Sequence, residues 1–377
     1  MATKRTGVTA QAREPRSTLS AQAPDPGRGW GAASLPTSIR RLPLALGLVM
    51  GSLMIAAPAA SAATYYAAPS GSDSNPGTLA APWATFGYAL EQLSAGDTLY
   101  ARGGAYPEAT GMTLATGTAS SPITVVAYSG ETPWIEGKFH LNRPSYWIID
   151  GINVRWPSTA ESGHLVKLHD GVGWEYKNGK IKNAVGPSGA LIAGTGAFPG
   201  EPSGWDFHHN CIRDTLRPAG ETGLSAYHNL YVSRTEQGVV KRNILFGADY
   251  GANIKIGPGS DTGPGTDDAT VKYNTLFDGG QKNVLLAWAS SGNQIFRNII
   301  VRADAQAVRS FELSGLGNSL FDNAWTNQPS VFFSEVPGYE EVERYGNSKV
   351  APNFDSNSSC QGFHPQNTDA QSYGRYG

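Results

Sequence analysis

The sequence is short of several things, and each shortage closes off a class of protein. Charged residues make up only 16 % of the 377 positions. No segment carries a long helical period, which turns the reading towards strands and turns. The longest apolar stretch, Leu42 to Ala57, falls below the roughly 20 residues that cross a bilayer comfortably. Two cysteines, Cys211 and Cys360, are too few for a small disulfide scaffold. An oxidising compartment would let them pair, and a buried free thiol at Cys211 is the alternative. Ser-His-Asp patterns, metal-binding histidine pairs and phosphate loops are also missing.

The apolar stretch has a different use. Arg40-Arg41 precede it and Ala60-Ser61-Ala62 follow it, so a basic flank, a short apolar core and small residues read as an export signal. Residues 1–62 are therefore expected to be leader and signal peptide, and the protein to be secreted. The leader holds seven basic and two acidic residues. The remainder then has 29 − 7 = 22 basic and 31 − 2 = 29 acidic residues, a net of −7. That balance argues against nucleic acid and anionic membrane as partners, since both demand a basic surface. A monomer acting on a polysaccharide is the expectation.

What is abundant is glycine, with 46 residues, together with asparagine. The asparagines recur in a phrase: Asn178, Asn210, Asn243, Asn274, Asn298 and Asn323 each stand beside short alternating runs. Their spacings are 32, 33, 31, 24 and 25 residues. Period-2 alternation in short pieces means strands, and a rung recurring every 24 to 33 residues means stacked coils. Asparagine suits the corner because it tolerates left-handed backbone and its amide both donates and accepts.

The opening after the leader reads as a strand, a polar turn and a helix capped near Thr85, with Phe86, Leu90 and Leu93 on one face. A turn at Gly96-Asp97 leads to a second strand, Thr98 to Ala101. With Tyr146-Trp147-Ile148-Ile149-Asp150-Gly151-Ile152 and the closing Ala351-Pro352-Asn353-Phe354 and Gly362-Phe363-His364-Pro365, this stretch resembles the secreted right-handed parallel β-helix proteins of the pectate-lyase-like superfamily. The resemblance implies an all-β right-handed parallel β-helix with an N-terminal capping helix. It places the solenoid at 63–350 and a C-terminal cap at 351–377.

Alternation within strands sends one set of side chains inward and the other outward. Aligning the repeats puts Leu230/Val232, Ile254/Ile256, Val284/Leu286 and Phe311/Leu313 inside, with Tyr231, Lys255, Leu285 and Glu312 outside. An earlier coil places Val166 and Leu168 inside, Lys167 and His169 outside. One outer column would then hold Lys167, His169, Tyr231, Lys255 and Leu285, and a one-residue slip would reverse it.

Lyases of the superfamily remove the proton α to a uronate carboxylate, which needs a cation on the carboxylate and an unprotonated base. The resemblance therefore implies a lyase acting on a uronate-containing glycan. Lys255, flanked by Gly251 and Gly257, is the candidate base, and a solvated strand face is the plain alternative. His228 is a catalytic candidate or a hydrogen-bonder between coils. Arg242 is a fork for a substrate carboxylate or a partner of Glu236. Tyr231, Lys167, His169 and Trp288 are candidate substrate contacts. Asp249, Asp261, Asp267 and Asp268, around the loop 257–268, are candidate calcium ligands, since calcium accepts irregular oxygen donors.

Two other readings compete. A glycoside hydrolase would pair carboxylates drawn from Asp206, Glu236, Asp249 and Asp268. A non-catalytic carbohydrate-binding solenoid would expose Trp174, Trp205, Tyr231 and Trp288 as a stacking strip. The coil after Lys255 offers no arginine of the kind that some lyases of this fold pair with their lysine.

Overall fold

The computed structural model describes residues 62–157, 163–222, 227–326 and 331–377. The expected signal segment lies outside these. Among the described residues no helix is long and apolar enough to cross a membrane.

The chain winds as a parallel β-solenoid with three faces. The first face is an eleven-stranded sheet that begins at Thr64–Ala67 and ends at Glu343–Tyr345. A seventeen-stranded sheet supplies the other two faces as adjacent columns of strands. The second face runs through Asn153–Arg155, Lys180–Lys182, Cys211–Thr215, Ile244–Ala248 and Thr275–Gly279. The third runs through Val166–His169, Ser188–Ala193, His228–Ser233, Ala252–Ile256, Lys282–Ala287 and Gln306–Phe311. Inward positions stack like on like: aliphatic on the third face at Leu230, Ile254, Val284 and Val308, each at most 1 % exposed, and aromatic on the first at Tyr176 and Phe207. A short α-helix, Phe86–Glu91, starts at Thr85, whose hydroxyl accepts from the Tyr88 N–H. Phe86 of that helix packs edge-on against Tyr106 and Phe139.

The asparagine ladder is real, with two amendments. Asn210, Asn243, Asn274, Asn298 and Asn323 are wholly buried. Each backbone N–H donates to the side-chain oxygen of the next, at 2.8–3.1 Å, and the series runs on to Asn347. Asn178 is not a member. Gly179 holds the ladder position in that coil and donates to Asn210 Oδ1, while the Asn178 amide reaches Asp150 at the surface. The left-handed residue is also not the ladder asparagine. It is the residue before it: Asn178, His209, Arg242, Tyr273, Arg297 and Asp322 all have φ between +49° and +56°.

A second ladder lies at the corner between the second and third faces. Asn229 Nδ2 donates to Asn253 Oδ1, and Asn253 Nδ2 to Asn283 Oδ1, both at 2.6 Å. All three residues are fully buried. The repetition of Asn229 in Asn253 is therefore a corner joint that fixes the entrance to the third face.

The closing segment does not sit over the end of the solenoid. It runs back along the second face, where Phe354 and Phe363 pack on Phe246 and Phe277. Cys360 is bonded to Cys211. Arg375 extends the same contact by donating to the Arg242 carbonyl at 3.0 Å. The second face is thus strapped over part of its length, and the first carries ion pairs such as Lys241 with Asp206.

Candidate functional site

The register of the third face assembles one outward column: His140, Lys167, Leu191, Tyr231, Lys255, Leu285 and Arg309. The expected neighbours Tyr231, Lys255 and Leu285 are in place. Lys167 belongs to the same column but stands apart from Tyr231 by the strand Ser188–Ala193. His169 is two residues further along its strand and pairs with Ala193.

The last coil of the sequence alignment is off by three. Arg309, not Glu312, follows Leu285, and Val308, not Phe311, is its inward neighbour. Phe311 instead pairs with Ala287, and its ring meets Trp288 edge-on at 5.7 Å. An offset of three reverses inside and outside on this strand, so Phe311 faces out where it was expected inside, and an arginine, Arg309, stands on the column two coils from Lys255.

Lys255 is only 7 % exposed. Its ammonium lies 4.2 Å from the centre of the Tyr231 ring and 4.8 Å from that of Trp288. Trp288 reaches it from a left-handed position, φ +54°. Burial, with the nearby Lys282 second, brings the Lys255 pKa down from 10.5 to about 8. Lys282 begins the next strand and is 3 % exposed. Its Nζ donates to Gln281 Oε1 at 3.2 Å, and burial followed by Arg309 lowers its pKa to about 8 as well. Among the described residues, Lys167, Lys255, Lys282 and Arg309 make no ion pair. Buried ammonium groups without a counter-ion are costly, which makes such a cluster a candidate site on physical grounds.

His228 sits at the foot of the groove, 2 % exposed. Its Nδ1 accepts the Ala252 N–H at 2.9 Å, so the bond between coils is made. That acceptance fixes the neutral tautomer with the proton on Nε2. Burial, then Lys255 and Lys282, holds its pKa well below 6.5. The ring is 5.7 Å from Tyr231, so it borders the same groove. Further along, His164 Nδ1 is 2.7 Å from Ser188 Oγ, and His140 donates to the His164 carbonyl at 2.9 Å. Burial depresses both imidazoles to about 4.

Arg242 does not join this group. It occupies the corner between the first and second faces, with its guanidinium over the Tyr273 ring at 5.3 Å. The structure gives it no pairing with Glu236. The four aspartates are also dispersed. Asp249 accepts from the Arg217 N–H at the corner of the second and third faces. Asp267 accepts from Ser291 N–H and Oγ across the coil, and Asp261 from Ser314 on the loop. Asp268 takes a left-handed turn position. Among the described residues no three His, Cys, Asp or Glu side chains are grouped to hold a metal ion, so these carboxylates do not fit a shared calcium.

The rival readings lose some of their residues. Trp174 and Trp205 are 2 % and 1 % exposed and stack on each other inside the coil. Asp206 lies on the first face beside Lys241. Glu236 borders a cavity with Glu201 and Asp267. Glu201, however, is held by Arg143 and Asp267 by Ser291.

Sequence reasoning missed Lys282, Arg309, His164 and His140. Lys282 was within reach, because Asn253 and Asn283 mark equivalent positions and place Ala252 opposite it.

Residues 65–192 match the family described as Pel9A-like, right handed beta helix region. Over 82 residues the chain is 42 % identical to pectate lyase PEL9 of Emericella nidulans, 22 % of this chain and 20 % of that protein. The chain thus spans about a fifth of that relative's length. Among solved structures, a glycoside hydrolase aligns with a TM-score of 0.55 and 9 % identity, over 83 % of this chain and 99 % of that one. The complex of XylC with xylose aligns with a TM-score of 0.53 and 13 % identity, over 76 % and 70 %. At these identities the structural likeness is one of fold. The chain is a parallel β-helix whose opening coils match the Pel9A-like right-handed proteins, and the matched span stops before Tyr231, Lys255, Lys282 and Arg309.

Proposed function

We propose that the third face is the active groove of a secreted polysaccharide lyase that cleaves a uronate-containing glycan by β-elimination. One observation carries the reading: Lys255 is buried between two aromatic rings, has no carboxylate partner, and titrates at about 8. A neutral Lys255 amine takes the proton α to the uronate carboxylate. The C–H electron pair becomes the new double bond, the glycosidic C–O bond breaks, and the leaving oxygen receives a proton, for which the Tyr231 hydroxyl is the nearest donor on the column. Lys282 and Arg309 neutralise the carboxylate so that charge can build beside it. In this reading the cationic side chains fill the role that calcium plays in metal-dependent lyases. Tyr231 and Trp288 also give the sugar apolar faces to lie on.

Among the described residues, the paired-carboxylate hydrolase finds no two free carboxylates on the groove. Non-catalytic binding remains the rival, since a caged lysine also holds an anionic sugar. A panel of pectate, alginate and glycosaminoglycan, assayed for unsaturated products with and without a chelator, separates them. Product formation that persists in chelator and vanishes in Lys255→Met supports the proposal. Binding without product, or activity that needs added calcium, overturns it.

A further inference from the structure

The second face carries another cationic pocket, on a different side of the coil from Lys255. Beside Cys360 of the strap, a cavity is bordered by Trp134, Lys180, Lys182, Arg213, Ser359 and Gln361. The register explains the grouping. Trp134, Asn153, Lys180 and Cys211 form one outward column, and Glu136, Arg155, Lys182 and Arg213 form the next. The Trp134 ring is flanked on this face by the Lys182 ammonium at 5.0 Å and the Arg155 guanidinium at 4.9 Å. Two of the cations are balanced: Arg155 by Glu136 and Arg213 by Asp214. Among the described residues neither Lys180 nor Lys182 makes an ion pair, and the only acidic influence on Lys182 is the nearby Asp214, already paired with Arg213. The pocket therefore holds two ammonium groups outside any ion pair, beside an indole. After burial, crowding by Arg213 and Arg155 lowers the Lys182 pKa.

We infer that this pocket is a second saccharide site, which takes a single acidic sugar unit or the end of an acidic chain. An indole offers a flat apolar surface to the C–H face of a pyranose. Lys180 and Lys182 pair with its carboxylate, and the Ser359 hydroxyl and Gln361 amide supply neutral partners for ring hydroxyls. The cavity measures about 200 Å³, below the roughly 300 Å³ at which drug-sized ligand sites begin. That size points to one sugar rather than a length of polymer. The disulfide forms part of the wall, since Cys211 and Cys360 both border the pocket. The strap thus completes a wall of the site.

The test uses the full chain carrying Lys255→Met, so that no substrate is consumed, and titrates galacturonate and digalacturonate by calorimetry. Binding should weaken by about tenfold or more in the Lys180→Gln/Lys182→Gln double variant, a loss of about 1.4 kcal/mol. It should be unchanged in Lys272→Gln, a lysine of the first face away from both sites. Both substitutions are at polar positions, and matched unfolding midpoints confirm that the fold is kept. Sodium sulfate should compete only weakly. Unchanged binding in the double variant, or no binding in the parent, overturns the site. Competition by sulfate as strong as by the sugar reduces it to an anion site and overturns the saccharide assignment. Failure of the lyase proposal shows as absent elimination product and leaves this titration unaffected.

Discussion

The Lys255 ammonium lies 4.2 Å from the centre of the Tyr231 ring, and the two residues are direct register partners on neighbouring coils. A cation over an aromatic face is stabilised by the ring quadrupole, but here the same rings remove water. Desolvation wins, and the lysine becomes a base that can act near neutral pH.

Lys255→Met tests that base directly. Turnover should fall by about a hundred- to ten-thousand-fold, the usual contribution of general acid–base catalysis. The unfolding midpoint should hold or rise, because the substitution removes a buried unpaired charge. A fall in stability accompanying the loss of activity would instead mark Lys255 as structural.

The pH profile follows from the sign of the shift. The folded Lys255 loses its proton at about 8, whereas an unfolded one keeps it to 10.5. Activity should therefore climb as pH rises through about 8. Between 8 and 10.5 the unfolded chain binds more protons, so this group's contribution to stability rises with pH and is lost as pH falls through 8. Lys282→Gln removes a neighbouring cation, so the activity midpoint should move to higher pH. An unmoved midpoint would separate the two lysines. In the parent, the two midpoints belong to the pair rather than to either residue.

Asn274→Ala cuts the ladder at its centre. Asn274 Oδ1 accepts both the Asn243 N–H and its Nδ2, each at 3.0 Å, and all three groups are buried. The loss should be about 2–4 kcal/mol in urea unfolding, since each stranded buried group costs about 1–3 kcal/mol. Asn178→Gly, off the ladder, at the surface and at a left-handed position that glycine adopts freely, should change stability by less than about 0.5 kcal/mol.

Cys360→Ser releases a bridge that closes a loop of 149 residues. The expected loss is about 2–5 kcal/mol, read as a lower unfolding midpoint and faster proteolysis within 351–377. Elimination at the third face should be unchanged in the folded variant, because the strap touches only the second face.

The solenoid was legible because stacking repeats one local pattern, and alternation at Leu230, Ile254 and Val284 told inside from outside. The groove was legible only in its middle. Tyr231, Lys255 and Leu285 fall at matching offsets from Asn229, Asn253 and Asn283, so a corner residue anchors their frame. The Gln306–Phe311 strand has no such asparagine, and its frame slid from Arg309 to Glu312. The skipped strand Ser188–Ala193 carries a glycine where its neighbours carry Asn229, which left Lys167 apparently closer to Tyr231 than it is. Trp174 and Trp205 misled for another reason: indoles are as common in cores as in sugar platforms, and only the coil's winding decides. Arg242 adjoins a ladder residue in sequence but turns its side chain to a different face.

The ladder bonds also run one way, each coil donating to the side-chain oxygen of its successor. Beyond Asn274 the rungs are stripped to 24 or 25 residues, nearly all strand and corner. Such a chain has a natural unit of insertion and deletion. Removing one whole rung leaves donor facing acceptor and inward residues facing inward. Removing one residue breaks both alignments in every coil it touches. Length is therefore quantised in this molecule, and the groove can be lengthened or shortened by coils without redesigning its chemistry.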